Sequence, residues 1–230
     1  MDKGFFIDII GHNLPLFQAM TNFNSAVIPP IPEEICAVAG LDAAALWRLP
    51  VVRKHFKTVT VREPFWDFTE ESRRLALLDA ANLRKLRKLF GVAVHAEEIA
   101  KVIARTEVLA IRDSLGEDIY DYAAHRGQYQ LGGVSRHFCK EDQELPLLER
   151  IHKHGLQAMA LCAASWPESL RKIFEEKLEE RLEQEKPSAE VRHLVWFGLK
   201  KILLKEVAPQ WAPYFKYPGM WRNLLLGQEF

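Results

Sequence analysis

The sequence has few of the features that assign a chemical activity to a protein. Cysteine is scarce: Cys36, Cys139 and Cys162 are far apart and form no CxxC pair. That count and spacing argue against a disulfide framework and against a structural zinc site. A reducing compartment is the best match for such cysteine usage.

An excess of charge of either sign is also absent. The chain carries 31 Lys and Arg against 31 Asp and Glu. A nucleic acid or an anionic membrane would therefore have to bind a local basic patch. No run approaches the roughly 20 apolar residues of a membrane span, and Met1 to Gln18 lacks the basic head and unbroken apolar run of a signal peptide. We therefore expect a cytoplasmic protein that meets a membrane only through a partner.

The sequence motifs of common enzyme classes are missing. GxSxG, HExxH and Walker patterns do not occur. His152 and His154 are two residues apart, which places them on different faces of a helix. We predict that the protein is not an enzyme and holds no cofactor and no metal. The alternative is a thiol-dependent enzyme using Cys139 or Cys162, which would need an abnormally low thiol pKa.

Helical periodicity is what the sequence does contain. From Thr69 to Val207, apolar residues recur at three- and four-residue spacing between capping residues and stops. The predicted helices span 69–90, about 96–105, 106–115, 117–124, 147–164, 167–185 and 189–207. The expected core residues are Leu86, Ile99, Val102, Ile103, Leu148, Phe174, Leu178 and Leu194.

We predict an all-α fold, a compact single domain covering residues 1–230. Its irregular N-terminal part, 1–66, contains the stiff proline connector Ile28–Pro32, short helices at 32–39 and 42–47, and at most a brief strand at 57–62. The helical core is 67–208, and an aromatic tail follows at 209–230.

Five glutamates lie near the end of the helix predicted at 167–185. Glu175, Glu179 and Glu183 follow i, i+4 spacing, and so do Glu176 and Glu180. Like charges at that spacing cost a helix a few tenths of a kcal/mol per pair. We predict that this acidic ridge (Glu175, Glu176, Glu179, Glu180 and Glu183) is a docking surface for a partner.

Two other stretches are candidate binding elements. The basic run Arg84, Lys85, Arg87 and Lys88 could bind a polyanion, which makes a nucleic-acid-binding helical regulator an alternative function. The simpler interpretation places these cations in the last turns of a helix ending at Gly91, where they offset the helix dipole. In the tail, the aromatic side chains either pack on the domain or contact a partner. These are Trp211, Tyr214, Phe215 and Trp221.

Parts of the sequence resemble a known family. The stretch Leu86-Arg-Lys-Leu-Phe-Gly-Val-Ala-Val-His-Ala-Glu-Glu-Ile99, followed by Ile103, resembles a pattern of the K-type accessory proteins of bacterial type III secretion systems, the SctK/YscK family. The segment from Val108 to Tyr122 is similar to the same family. So is the helix Phe197-Gly-Leu-Lys-Lys-Ile-Leu-Leu-Lys-Glu-Val-Ala-Pro209. The acidic ridge and the tail beyond Lys216 have no counterpart in that pattern.

The resemblance implies a non-enzymatic cytoplasmic adaptor of the secretion sorting platform. Such an adaptor links the cytoplasmic domain of the inner-membrane ring protein (SctD-like) to the pod protein (SctQ-like), without nucleic acid. The family carries no catalytic residues to transfer. The expected partner surfaces are therefore the acidic ridge and the aromatic tail.

Overall fold

The computed structural model describes residues 3–25, 31, 33–52, 64–138 and 144–215. Within these ranges all regular structure is helical and no strand occurs, which confirms the all-α prediction. The described residues fall into two compact units, which meet in sequence between Phe68 and Thr69. The predicted boundary at residues 66 and 67 lies two residues earlier. The brief strand predicted at 57–62 falls outside the described residues.

The N-terminal unit contains more helix than the sequence predicted. Its helices are α1 (Lys3–His12), α2 (Leu14–Ser25), α3 (Glu33–Ala39) and α4 (Ala43–Arg48). The prediction of an irregular region missed α1 and α2, whose apolar residues Ile9, Leu16 and Met20 are fully buried. Burial of one face stabilises a short helix more than its propensity does. Asp42 caps α4 as expected, since its carboxylate accepts a hydrogen bond from the Ala45 N–H.

Aromatic packing and one asparagine connect the ends of this unit's described segments. The Phe68 ring meets Phe23 and Phe65 edge to face, at centroid distances of 5.6 and 5.2 Å. The Asn24 amide donates to the Phe65 carbonyl at 2.9 Å, and its oxygen accepts from the Phe65 N–H at 2.8 Å. These contacts hold the segment before the second unit against α2.

The second unit is a bundle of α-helices with 3₁₀ and π turns at its ends. It begins with a 3₁₀ helix, Glu71–Leu77, and ends with a π-helical turn, Leu203–Val207, followed by a 3₁₀ helix, Pro209–Phe215. Two further short 3₁₀ helices are Gly127–Tyr129 and Gly132–His137. The α-helices are α5 (Ala80–Val94), α6 (Ala96–Ala100), α7 (Arg105–Leu115), α8 (Glu117–His125), α9 (Leu147–Ala163), α10 (Glu168–Leu178) and α11 (Ala189–Ile202).

The single helix predicted at 69–90 is wrong at both ends. Leu78 is extended (ψ 151°), so the 3₁₀ helix and α5 are separate elements. Asp79, not Thr69, caps the long helix, because its carboxylate accepts from the Asn82 N–H at 2.8 Å. At the other end α5 continues through Gly91 to Val94.

Gly91 is retained inside α5 because it lies where α5 crosses α9. A Cβ at Gly91 would fall 2.0 Å from the Ile151 carbonyl oxygen, and one at Gly155 would fall 2.4 Å from the Arg87 carbonyl oxygen. The two helix backbones therefore approach to a distance that no side chain permits. Gly155 and Gly91 together form this close helix contact, so Gly91 is not the helix stop that the sequence suggested.

The predicted core is correct where the helices extend as expected. Leu86, Ile99, Phe174 and Leu178 are buried, whereas Val102 and Leu194 are half-buried. Two predictions are wrong: Ile103 is 91% exposed and Leu148 is 40% exposed. Ile103 is exposed because α6 ends at Ala100, which leaves it in the link to α7, while Leu148 lies in the first turn of α9 at the surface.

Candidate interaction surfaces

The acidic ridge does not lie on one helix. α10 ends at Leu178 because Glu179 adopts the left-handed conformation (φ 60°), and the Glu180 N–H bonds back to the Glu175 carbonyl at 3.2 Å. Lys177 strengthens this end by donating to the carbonyls of Ala76 and Leu78. The predicted helix to residue 185 is therefore wrong, and none of the like-charge i, i+4 pairs that motivated the ridge lies within α10.

Most of the ridge is neutralised within the chain itself. Glu179 pairs with Arg84 at 2.7 Å, and Glu180 pairs with Arg87 at 3.3 Å. Glu175 accepts from Arg171 at 3.1 Å, and Arg171 in turn donates to the Glu183 carbonyl at 2.7 Å. These pairings remove the argument from unbalanced charge, and a partner surface at these glutamates stays a prediction.

The basic run lies in the middle of α5, not in its last turns. Because α5 continues to Val94, no basic residue stands in its final turn. A charge offsets the helix dipole only within the terminal turn. The interpretation that these cations offset the dipole of α5 is therefore wrong.

A groove of about 480 Å³ lies beside these cations, and we call it the basic groove. Its rim carries Arg84, Lys85, Arg87 and Lys88 from α5. Its apolar lining comes from the junction of α7 and α8 and from the start of α9. The lining residues are Leu115, Ile119, Leu148 and Ile151.

The described part of the aromatic tail packs on the second unit. Phe215 is buried against Trp196 at a centroid distance of 5.6 Å, and Arg74, itself fully buried, donates to the Tyr214 carbonyl at 2.8 Å. Trp211 and Tyr214 lie 4.2 Å apart by ring centroid and are half-buried. Trp221 lies outside the described residues.

A buried histidine pair joins α5 and α6 to α9. His95 and His154 are 3% and 2% exposed, and His95 Nε2 lies 2.9 Å from His154 Nδ1. His95 Nδ1 contacts the Glu98 carboxylate at 3.2 Å, and Arg150 holds that carboxylate through two of its nitrogens. Since a carboxylate only accepts, Nδ1 of His95 carries the hydrogen, and Nε2 of the neutral ring accepts from His154.

Burial decides the protonation of His95. Burial lowers its pKa below the ordinary value, more than the hydrogen bond to Glu98 raises it. The Arg150 guanidinium lowers the pKa of Glu98, so this carboxyl stays ionised. The sequence did not predict the pair, because 59 residues separate the two rings. The spacing of His152 and His154 predicted different faces of one helix, and His154 is buried whereas His152 is exposed.

The cysteines of the thiol-enzyme alternative differ in what the structure describes of them. Cys162 is buried and burial raises its thiol pKa, which disfavours it as a nucleophile. Cys139 lies outside the described residues. In the described part of the chain, no group of three or more His, Cys, Asp or Glu side chains is arranged so that it could hold a metal ion. None of the helices there has the length and apolar character needed to cross a bilayer.

Comparisons with known proteins do not assign the chain. Searches against protein-family models, curated proteins and solved structures return no match.

Proposed function

We propose that this chain is a non-enzymatic cytoplasmic adaptor of a bacterial type III secretion sorting platform. It would link the SctD-like inner-membrane ring protein to the SctQ-like pod protein, and it would reach the membrane only through the ring. The proposal comes from the resemblance of residues 86–99 to the K-type accessory proteins.

The observation that supports it is the structural role of the residues in that stretch. Leu86 and Ile99 are core residues, Gly91 makes the close crossing of α5 with α9, and His95 forms the buried pair with His154. A pattern of this kind identifies a way of packing helices and not a reaction. It is therefore the kind of pattern that an adaptor family without catalytic residues would share.

The two alternatives have weaker support. A nucleic-acid-binding regulator would need the basic run free, but Arg84 and Arg87 are paired with glutamates. A thiol-dependent enzyme would need a reactive cysteine, and Cys162 is buried with a raised pKa.

The test is direct binding of the full chain to each proposed partner from the same organism. We expect the purified protein to bind the pod protein and the cytoplasmic domain of the ring protein separately, and to form a ternary complex when all three are mixed. Size-exclusion chromatography with light scattering would measure both. Failure to bind either partner would overturn the adaptor proposal. Mutually exclusive binding would overturn the linking role.

A further inference from the structure

We infer that the basic groove is a docking site for an acidic amphipathic helix of a partner protein. This goes beyond the proposed function, because it defines the chemistry of one partner surface without depending on which assembly the chain joins.

The first support is charge that the chain leaves uncompensated. Arg84 and Arg87 are paired with Glu179 and Glu180, but Lys88 donates its ammonium hydrogen to the Leu115 carbonyl, which carries no charge, at 2.9 Å. Among the described residues, neither Lys85 nor Lys88 forms an ion pair. The dipole of α5 does not account for either lysine, and the C-terminal carbonyl of α7 offsets only part of the charge of Lys88. The rim of the groove therefore presents net positive charge to an incoming acidic group.

The second support is apolar surface next to those cations. Leu148 is 40% exposed at the groove, and Ile119 is half-buried beside it. A large apolar side chain in this position gains free energy from a partner that covers it. A polyanion such as nucleic acid would use the lysines but would leave this apolar surface uncovered.

The third support is α7, which is only partly packed. Leu115 is its one buried residue, although it is 11 residues long. Val108 and Ile111 precede Leu115 by seven and four residues, which places them on the same face of α7, and both are half-buried. A helix of this length is marginal without a packed face. Leu115 lines the groove, so a ligand bound there would add packing to the C-terminal end of α7.

The fold determines the form of the ligand. An extended peptide gains affinity by adding a strand to a sheet edge, and the described part of the chain has no sheet. A helix instead places apolar anchors at i, i+4 and i+7 into a groove between helices, with acidic residues at its flanks to meet Lys85 and Lys88.

The probes are two designed amphipathic helical peptides that have the same leucine face. In one peptide this face is flanked by Glu residues, and in the other it is flanked by Lys residues. We expect the full chain to bind the Glu-flanked peptide at least about tenfold more tightly in fluorescence anisotropy, a difference of about 1.4 kcal/mol. Leu148→Asp should weaken that binding about tenfold. The double variant Lys85→Glu with Lys88→Glu should weaken it similarly.

The matched control reverses two lysines elsewhere. Lys101→Glu with Lys205→Glu makes the same change in net charge on exposed residues away from the groove, and it should bind like the unmodified protein. Circular dichroism confirms that each variant is folded. The inference is overturned if the peptides bind equally or not at all, or if the control loses as much affinity as the groove variants. It is also overturned if a single-stranded oligonucleotide binds the lysines more tightly than the acidic peptide does. None of these outcomes bears on the secretion partners, which are tested separately.

Discussion

The protonation of His95 connects its burial to a measurable property, the pH dependence of the free energy of unfolding. Its pKa in the folded protein lies below the ordinary value of 6.5 because the ring is buried. Between those two pKa values the unfolded chain binds more protons than the folded one, so acidification through that range favours unfolding. A single proton contributes a slope of at most about 1.4 kcal/mol per pH unit.

We therefore predict that the free energy of unfolding falls as the pH is lowered from neutral through 6.5, and that His95→Gln reduces this dependence. The variant should also cost about 1–3 kcal/mol at neutral pH, because it disturbs a buried hydrogen bond. Urea unfolding at several pH values measures both effects. His137→Gln changes an exposed histidine and should retain the slope. An unchanged slope in His95→Gln would contradict the assignment.

Glu179 matters to stability chiefly through its backbone conformation. It is the one described residue other than glycine with a positive φ, 60°, and it ends α10. Glycine adopts that conformation without strain, whereas alanine does not.

We predict that Glu179→Gly is more stable than Glu179→Ala by about 1 kcal/mol. Both variants lose the carboxylate that pairs with Arg84, so their difference isolates the backbone. Thermal or urea unfolding of the pair measures it. Equal stabilities would show that the left-handed turn does not form in solution.

At the scale of elements, the crossing of α5 and α9 is the tightest contact. Gly91 and Gly155 each face a backbone carbonyl of the other helix, which cannot move aside as a flexible side chain can. A methyl group at either position must push the helices apart and disturb the neighbouring core.

We predict that Gly155→Ala destabilises the protein by about 1–3 kcal/mol or more, because the added methyl group overpacks the crossing. Within an ordinary helix the same substitution raises stability, since alanine has the higher helix propensity. Gly133→Ala is the control, because a Cβ there meets nothing within 4 Å. It should leave stability unchanged or slightly raised. If Gly155→Ala were as stable as the unmodified chain, the close approach would be wrong.

The helices of the second unit could be predicted from the sequence because their faces are periodic and their caps are local. Ser188 caps α11, since its hydroxyl oxygen accepts a hydrogen bond from the Val191 N–H, and Pro167 precedes α10. The helix ends were less predictable. α10 ends where Lys177 reaches carbonyls about a hundred residues earlier in the chain, and α5 passes through Gly91 because of a helix that begins at Leu147. Such long-range causes have no local signal.

The candidate binding surfaces, like the helix ends, could be predicted from the sequence only in part. The charged residues were evident in the sequence, but the acidic ridge and the basic run were treated as separate surfaces. The pairs Glu179–Arg84 and Glu180–Arg87 bring them together, and the charge that remains is on Lys85 and Lys88. Leu148, expected in the core, instead marks the apolar part of the groove. Which charges cancel depends on tertiary contacts, so the groove could not be found from composition or spacing.

At the scale of the whole molecule, the second unit contains everything that the groove requires. Its lining and its cations all lie between Thr69 and Lys216, and so do the buried histidine pair and the helix crossing. Phe215 is packed against Trp196 within the same unit. A unit with its own core is expected to fold on its own.

We predict that a fragment of residues 69–216 folds cooperatively and binds the Glu-flanked peptide with an affinity within about threefold of the full chain, a difference of less than 1 kcal/mol. Circular dichroism on heating would measure the folding, and anisotropy the binding. The fragment carrying Leu148→Asp is the control and should stay folded while losing affinity. A fragment that is unfolded would show that it needs the removed residues, 1–68 and 217–230, in order to fold. A fragment that is folded but does not bind would place the ligand's contacts outside the groove, since no residue of the groove has been removed.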